Sequence, residues 1–359
     1  MKCLSETYSD IKFYHPKSKI LSLYPNILKI IDYILRKLNF KRTTNGLKNG
    51  WILTKQHLYN RWEVNYSRCD IIYSQGSYPQ NTYNRPVLID LFFLPPNDVE
   101  MHASPEAFDK YQRMKQIIKV LSNYPGIYNV RSEYSLQLIK QICPEKVWKF
   151  RNLPFLLPNL KALDEDIISK KHLNEKILKI VFCGAQAYRK GLDMLIKAFV
   201  KVKDNTQLPP IELHIISALS DGRIDIPKRD DIIYHGALSH SETIEIFKKS
   251  HIYAMPSRSE SFGLTYIEAM ANGLIVIARN YEPQREIINY GECGILTELD
   301  SESIANNINK IINMDVKERI NIVLKARKRF QTQYDYNIVK EKWHNAFIDC
   351  YNQKELLND

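Results

Sequence analysis

The chain contains 359 residues, of which 44% are hydrophobic and 25% are charged, with 12 glycines and 16 prolines. At ~150 residues per domain this length predicts two domains, and the ordinary composition excludes a disordered or fibrous protein. The sequence has no run of ~18 apolar residues and does not begin with a basic segment followed by an apolar one. We therefore expect a cytoplasmic protein without a membrane-spanning helix or an export signal.

Positive charge is concentrated in the first half of the chain. The net charge is +11; residues 1–170 contain 25 Lys or Arg against 15 Asp or Glu, and residues 171–359 contain 26 against 25. This asymmetry indicates an anionic partner of the first half, such as a membrane surface, a charged glycan or a nucleic acid, or else a solvated basic face. The six cysteines lie far apart and form no C-x-x-C pair, which predicts reduced thiols and no zinc site.

The first half shows a weak α/β pattern. Residues 27–42, ILKIIDYILRKLNFKR, combine a wide apolar stripe with several cations. Such a helix can rest on an anionic membrane that holds a lipid-linked acceptor, or it can pack inside a domain with a basic edge in solvent. Short apolar runs at residues 71–73, 87–91 and 127–130 predict the strands of a smaller α/β domain, which we assign to residues 1–170.

The second half shows a clear βαβ pattern, in which short apolar runs alternate with segments of helical periodicity. This alternation predicts a doubly wound domain with a parallel sheet over residues 171–335, and the polar residues 161–176 predict an interdomain linker. The predicted strands are residues 180–183, 213–216, 232–234, 252–255 and 274–277.

Helix signals accompany these strands. The helix after the first strand presents a buried face formed by Leu192, Leu195, Ile196, Phe199 and Val200. Ser239 and Glu242 have the spacing of a capping box that opens the next helix. A terminal helix is predicted over residues 337–357, with a docking face formed by Val339, Trp343, Phe347 and Tyr351.

Residues 183–191, CGAQAYRKG, connect the first of these strands to its helix. Gly184 lets the chain turn where a side chain would obstruct, and Arg189 and Lys190 lie at the helix start, where backbone N–H groups favour anions. Ligands of doubly wound sheets bind outside the carboxyl ends of the strands, so this loop is suited to a diphosphate. The alternative is a surface loop with two solvated cations.

Residues 256–273, PSRSESFGLTYIEAMANG, contain a more specific pattern, because two acids separated by seven residues flank a helix start. Glu260 lies in the loop, Gly263 permits close backbone approach, and Glu268 lies about one turn inside the helix. The N–H groups of this helix start, with the Thr265 hydroxyl, can hold a phosphate, and paired carboxylates accept hydrogen bonds from sugar and ribose hydroxyls. Spacing alone also allows two ordinary surface acids on a capped helix.

Together these motifs resemble the retaining, nucleotide-sugar-dependent glycosyltransferases of family 4, which have the GT-B fold. The matching features are the E-x7-E pair Glu260 and Glu268, the RKG loop ending at Gly191, the strand-turn His235-Gly236, EAMANG at residues 268–273, and REII at residues 285–288 followed by Gly291 and Gly294. The resemblance is strong over residues 179–299, and the RKG loop is similar to that of lipopolysaccharide-core and surface-glycan transferases. It implies an α/β fold of two Rossmann-like, doubly wound domains facing a cleft, with a helix at residues 336–359 that packs back toward the first domain.

The resemblance also implies roles for individual residues. Arg189 and Lys190 would grip the diphosphate and neutralise charge as the glycosidic phosphate bond breaks, while Glu260, the third catalytic residue, accepts hydrogen bonds from the transferred sugar. Glu268 would bind the ribose. The other implied donor contacts are Gly184, His235, Ser261, Phe262, Gly263, Leu264 and Thr265. On the acceptor side, Asp90 stands where relatives often have a histidine, and it either faces the reacting centre or is structural.

The function implied by the resemblance is metal-independent, retaining transfer of a sugar from a nucleotide sugar to a surface-glycan or lipid-linked acceptor. No cofactor and no nucleic-acid partner are expected, and the basic first half would lie at the inner face of a membrane. The alternatives are a GT-B-like phosphorylase or epimerase, a non-catalytic protein that binds nucleotide sugar, anionic glycan or nucleic acid, and a degenerate transferase. Because residues 217–222, SALSDG, replace the family's Gly-rich turn, the base stays unassigned, and the donor sugar is not identified either. No Gly-Gly loop follows a strand near the start, which indicates a shortened acceptor side.

Overall fold

The computed structural model describes residues 70–75, 85–91, 112, 115–116, 118–119, 126–204, 209–219, 222–260 and 262–353. The predicted basic helix at residues 27–42 and the predicted donor contact Ser261 lie outside the described residues. The chain divides into two compact units; of the described residues, the smaller unit holds 70–75, 85–90, 126–127 and 347–353, and the larger holds the others. The domain boundaries at residues 170 and 335 stay a prediction.

The described strands and helices follow the predicted order. The strands are β1 (Ile72–Gln75), β2 (Val87–Asp90), β3 (Gly126–Val130), β4 (Phe150–Asn152), β5 (Leu178–Cys183), β6 (Ile211–Ile216), β7 (Ile232–Gly236), β8 (Ile252–Met255), β9 (Ile275–Arg279) and β10 (Ile295–Thr297). The helices are α1 (Glu133–Ile142), α2 (Glu165–Leu173), α3 (Leu192–Lys203), α4 (His240–Lys249), α5 (Leu264–Ala271), α6 (Gln284–Ile287), α7 (Ser301–Asn313), α8 (Val316–Arg329) and α9 (Tyr336–Asn352). Every predicted strand is confirmed to within two residues at each end. The short strands β4 and β10 were not predicted.

A parallel sheet of six strands, in the order β10-β9-β8-β5-β6-β7, forms the core of the larger unit. Its central strands are buried on both faces, which is why they read as continuous apolar runs. The chain runs outward from β5 through β6 to β7 and then places β8 on the other side of β5, with Ile180 beside Ile252. The strand order therefore reverses between β5 and β8, and a crevice for ligands is expected outside their carboxyl ends.

The helices that cover this sheet largely follow the sequence prediction. On α3, four of the five predicted face residues are buried and Val200 is half-buried. The capping box at the start of α4 is confirmed, because the Ser239 hydroxyl accepts from the Glu242 N–H at 3.3 Å and the Glu242 carboxylate accepts from the Ser239 N–H at 2.8 Å. Local side-chain chemistry thus determines where α4 begins.

The segment at residues 161–176 contains a helix that the sequence reading missed. Helix α2 packs against α8, and Ile168 is fully buried beside Gly273, where a Cβ atom would lie 2.6 Å from the Ile168 side chain. Arg327 of α8 donates to the Leu163 carbonyl at 2.7 Å and pairs with Glu165 at 2.8 Å. Because α2 buries so few apolar residues, its sequence has almost no helical periodicity.

The smaller unit contains a parallel pair of strands. Val87 of β2 lies beside Ile72 of β1 and is fully buried. Gly126 has φ +147°, and a Cβ atom there would lie 2.3 Å from the Val87 carbonyl oxygen, so the close approach requires glycine. The Gly126 N–H donates to the Gln353 side chain at 3.0 Å, and the ring of Phe347 lies 6.0 Å from that of Tyr73.

Helix α9 confirms the predicted terminal helix but corrects its buried face. Val339, Trp343 and Phe347 are buried as predicted, whereas Tyr351 is 47% exposed and Cys350 is buried. Each step of four residues overshoots a helical turn by ~40°, so three steps carry Tyr351 about 120° away from Val339. Cys350 returns to the buried side instead.

Candidate functional site

Two loops meet at the point where the strand order reverses. Residues 184–191 leave β5 and residues 256–263 leave β8, and their backbones are in direct contact: the Arg258 N–H donates to the Arg189 carbonyl at 2.8 Å. Gly191 has φ +81°, and a Cβ atom there would lie 2.2 Å from the Pro256 carbonyl oxygen. The glycine of the RKG motif is therefore required for the two loops to approach each other.

Arg258 joins the same two loops through its side chain. Its guanidinium makes two hydrogen bonds of 2.7 Å to the Asp193 carboxylate and lies 3.9 Å from the centre of the Tyr188 ring. The hydrogen bonds to Asp193 hold the pKa of Arg258 above its ordinary value. Sequence reasoning missed this contact, because nothing in the spacing of Arg258 and Asp193 pairs two residues so far apart in the chain.

The three residues predicted to be catalytic come together beside these loops. The Lys190 ammonium lies 2.5 Å from Oε1 of Glu260, a residue only 4% exposed, and the Arg189 guanidinium lies 3.8 Å from the same oxygen. Arg189 also donates to the Ser259 carbonyl and the Gln186 side chain. Burial lowers the pKa of Lys190, although Glu260 opposes that shift. Lys190 is thus an enclosed cation paired with an acid, and Arg189 faces solvent.

Gly184 makes room for this arrangement. Its φ is not positive, so the turn itself does not require glycine. A Cβ atom at Gly184 would instead lie 3.0 Å from the Lys190 side chain. Glycine at position 184 therefore leaves room for the Lys190 side chain.

Helix α5 begins at the second loop without a side-chain cap. Gly263 precedes it with φ +86°, no side chain accepts from its first N–H groups in the described residues, and its first turn carries no acid. The Thr265 hydroxyl accepts from the Tyr253 hydroxyl at 2.6 Å and so is bound to the core. Phe262 is buried and packs edge-on against Phe155 at 5.4 Å. The predicted phosphate site therefore depends on the backbone N–H groups rather than on the Thr265 hydroxyl.

Glu268, inside α5, has a partner, His240, that the sequence analysis did not single out. Nε2 of His240 lies 2.9 Å from Oε1 of Glu268, which is 8% exposed, and the His240 side chain is 60% exposed. Burial raises the pKa of Glu268, and His240 opposes that shift. His240 follows β7, whose carboxyl end lies at the same edge of the sheet, and this parallel-sheet reasoning could have found it.

Two further residues with predicted roles, His235 and Asp90, are not part of this group. His235 stacks on His214 with ring centres 5.2 Å apart, and among the described residues it makes no hydrogen bond or ion pair with Arg189 or Glu260. Asp90 belongs to the smaller unit, where it is fully buried and accepts from Tyr73 at 3.3 Å. The roles predicted for His235, Ser261 and Asp90 stay predictions.

The described residues contain no cluster of three or more His, Cys, Asp or Glu side chains with metal-binding geometry. In that same part of the chain no helix has the length and apolarity needed to cross a membrane. The four described cysteines are unpaired.

Comparison with known proteins identifies relatives that match about half of the chain. An uncharacterised 41.2 kDa protein of the cps region of Klebsiella pneumoniae is 28% identical over 198 residues, which is 54% of this chain and 50% of that protein. The capsular polysaccharide biosynthesis glycosyltransferase CapM of Staphylococcus aureus is 26% identical over 52% of this chain and 51% of its own length. The chain thus spans about half the length of these relatives.

Solved structures resemble a larger part of the chain. WaaG, a glycosyltransferase involved in lipopolysaccharide biosynthesis, matches with a TM-score of 0.59 and 15% identity over 86% of this chain and 84% of its own. Anabaena HepE in complex with UDP-glucose matches with a TM-score of 0.57 and 19% identity over 78% of this chain and 79% of its own. These neighbours confirm the predicted α/β class and the GT-B fold.

The family comparison covers the larger unit's main sheet. Residues 164–329 match the family model of glycosyl transferases group 1. This range contains both loops at the reversal of strand order and every residue of the group around Glu260 and Glu268. These 166 of the 359 residues are therefore similar to the glycosyl transferases group 1 family.

Proposed function

We propose that this protein is a glycosyltransferase that moves a sugar from a nucleotide-sugar donor to a surface-glycan or lipid-linked acceptor. The observation that carries this proposal is the grouping of Arg189, Lys190 and Glu260 beside the uncapped start of α5. The family match, the relation to CapM, and the UDP complexes of HepE support the same function.

In this proposal the diphosphate binds between the start of α5 and the two cations of the RKG motif. Exposed Arg189 is accessible to the incoming phosphates, and Lys190 is held in place by Glu260. As the bond between the sugar C1 and the phosphate oxygen breaks, negative charge grows on the departing diphosphate. Cations and helix N–H groups already in position stabilise that charge, without reorganisation at the moment of reaction.

Glu260 would then have two partners. Its carboxylate binds the Lys190 ammonium and can also accept hydrogen bonds from hydroxyls of the transferred sugar, because two carboxylate oxygens offer about four acceptor sites. Glu268 would accept from the ribose, with its carboxylate oriented by His240. Glu260 would thus bind the sugar of the donor, and Glu268 would bind its nucleoside.

We propose retention of the anomeric configuration, with attack from the face that the diphosphate leaves. The acceptor oxygen forms the new bond to C1, and its proton passes to the departing phosphate oxygen, so no base from the protein is needed. The proposal further assigns metal-independent transfer, no resident cofactor, and a position at the cytoplasmic face of a membrane. The basic first half supports that position.

Calorimetry of the purified protein against a panel of UDP-sugars, with EDTA in place of added metal, tests this function. The expected result is binding of one UDP-sugar to the wild type and its loss in Glu268→Ala and in the double variant Arg189→Ala with Lys190→Ala. If no nucleotide sugar binds while DNA or anionic lipid does, the protein is a non-catalytic binding module instead.

A further inference from the structure

A cavity of the larger unit lies beside residues 256–263, the loop that leaves β8, here called the donor loop. It has a volume of about 290 Å³, and Phe262 of the loop forms part of its wall, with Tyr290 and Tyr334. This volume is close to the ~300 Å³ at the lower end of pockets that hold small ligands. Aromatic rings at a wall offer flat apolar surfaces, against which the carbon face of a sugar ring can lie.

Three cations surround this cavity: Arg131, Arg329 and Lys342. The Arg131 guanidinium lies 3.5 Å from the centre of the Phe155 ring and donates to the Leu153 carbonyl at 3.2 Å. The guanidinium of Arg329 is held by backbone carbonyls, Ile287 at 2.8 Å and Glu286 at 2.7 Å. Carbonyl oxygens fix the orientation of a guanidinium without cancelling its charge.

Lys342 of α9 differs from the two arginines. Within the described residues it is half-buried and makes no hydrogen bond or ion pair. Its neighbour Trp343 donates to the Pro154 carbonyl at 2.8 Å, which fixes this turn of the helix at the cavity. Burial lowers the pKa of Lys342. A half-buried ammonium without an anion has lost part of its hydration, and a bound anion would recover part of that free energy.

Two carboxylates also line the cavity, but both have their own donors. Glu286 accepts from the backbone N–H groups of Glu133 at 2.9 Å and Tyr134 at 3.1 Å, so its charge stabilises the start of α1. Glu133 accepts from the Gln137 side chain at 2.7 Å. These neutral donors orient the two carboxylates without cancelling their charge, so the three cations and two carboxylates of the lining give a formal net charge of +1.

We propose that this cavity is a subsite for an acidic saccharide, in which a carboxylate or phosphate group of the acceptor binds Lys342 while the sugar ring lies against Tyr290, the wall residue that is 59% exposed. The inference rests on the proposed function, because the shared residue Phe262 places the subsite beside the donor loop. It assigns to the acceptor a negative charge close to the sugar that receives the transfer.

Ligand-observed NMR with single monosaccharides tests this subsite without knowledge of the full acceptor. The probes are glucuronate and glucose 6-phosphate, which present the carboxylate and the phosphate separately, with glucose as the uncharged control. We expect one of the two acids to bind at least tenfold more tightly than glucose. Lys342→Gln should remove most of that difference, whereas Lys328→Gln, at an exposed lysine of α8, should retain it.

Binding of UDP to the same samples separates this inference from the proposed function. Equal binding of glucose and both acids, or unchanged acid binding in Lys342→Gln, overturns the acidic subsite even where UDP binds normally. Acid binding that depends on Lys342 in a protein that binds no UDP supports the subsite and contradicts the transferase. Thermal unfolding of Lys342→Gln controls for loss of the fold.

Discussion

Strand β8 carries a buried group of ionisable residues at each of its two ends, and the two groups differ in their access to solvent. At the carboxyl end, Lys190 and Glu260 form an enclosed pair, but the neighbouring cation Arg189 is 39% exposed. At the amino end, His251 is 5% exposed and His172 is fully buried. Only the first group lies at the edge of the sheet where parallel strands leave a crevice.

The group at the amino end comprises Lys171, His172 and His251 and is here called the sealed group. It is closed to solvent by contacts with the end of α5. The Lys171 ammonium donates to the Asn272 carbonyl at 2.8 Å, and Nε2 of His172 lies 3.0 Å from the Gly273 carbonyl. The rings of His172 and His251 are 5.5 Å apart, and burial lowers the pKa of His172 to about 4. Burial likewise lowers the pKa of Lys171 to about 7.

The difference shows that a perturbed pKa does not by itself identify a functional site. The pKa values of histidine and lysine are lowered most in the sealed group, at the opposite end of β8 from the two loops. What distinguishes the group at Glu260 is an exposed cation beside an uncapped helix start. Accessibility and position on the sheet decide between the two groups, and four predictions test that conclusion.

The largest effect is expected from removal of the enclosed cation at the carboxyl end. Lys190→Ala should lower the rate of sugar transfer by roughly 100- to 1,000-fold, because one preorganised group that stabilises developing charge contributes about that much. Lys197→Ala, at an exposed lysine of α3, is the matched control and should leave the rate unchanged. Turnover of the UDP-sugar measures both. A rate within threefold of wild type in Lys190→Ala contradicts the role of Lys190.

The sealed group should affect stability rather than transfer. The pKa of His172 is about 4 and that of His251 about 3 in the folded protein, so both are neutral when folded and take up protons on unfolding. Their contribution to stability is complete above the unfolded pKa of ~6.5 and is lost as the pH falls toward the folded values. For His172 the loss is on the order of 3 kcal/mol, at ~1.4 kcal/mol per pH unit.

Urea unfolding measured across this pH window checks the acid sensitivity. His172→Gln keeps a donor for the Gly273 carbonyl but does not titrate, so its unfolding free energy should fall less steeply with acid than that of the wild type. If the unfolding free energies of the two proteins fall equally steeply with acid, His172 is not buried in its neutral form.

Glycine substitutions near the two ends of β8 should have different effects, one on the rate of sugar transfer and the other on the stability of the fold. Gly191→Ala introduces a Cβ atom 2.2 Å from the Pro256 carbonyl oxygen. It should push residues 184–191 away from residues 256–263 and lower the rate of sugar transfer at least tenfold. Gly273→Ala meets the Ile168 side chain at 2.6 Å at φ +66° and should destabilise the fold by ~1–3 kcal/mol with the UDP affinity retained. Thermal unfolding and UDP titration distinguish them; a loss of UDP affinity in Gly273→Ala would contradict the separation.

The smallest effect is expected at His240. Its removal should raise the pKa of Glu268 further, since His240 opposes the increase caused by burial. Nucleotide binding requires the ionised carboxylate, so its midpoint should move to higher pH in His240→Ala, with a loss of affinity of about threefold near neutral pH. His240→Gln restores a hydrogen-bond donor and should bind more tightly than His240→Ala. UDP titrations over about pH 5 to 8 measure the midpoint; an unchanged midpoint in His240→Ala contradicts the coupling.

Much of the fold and of the candidate site could be predicted from residues close together in the sequence. Buried strands such as β5 and β8 are continuous apolar runs, the capping box of α4 is a contact between Ser239 and Glu242, and the E-x7-E spacing places Glu260 and Glu268 around one helix start. These features are local, because each depends on a side chain and its neighbours within about two turns.

The sequence by itself therefore determined where eight of the ten described strands lie along the chain, where α4 begins, and the motif that carries the family resemblance. Only the tertiary structure decided that Lys190 pairs with Glu260, that Arg258 binds Asp193, that His240 orients Glu268, and that α2 packs on Gly273. Each of these contacts joins residues distant in the chain. The first three exist because the loops that follow β5, β7 and β8 lie at the same edge of the sheet, whereas α2 packs on Gly273 at the opposite edge.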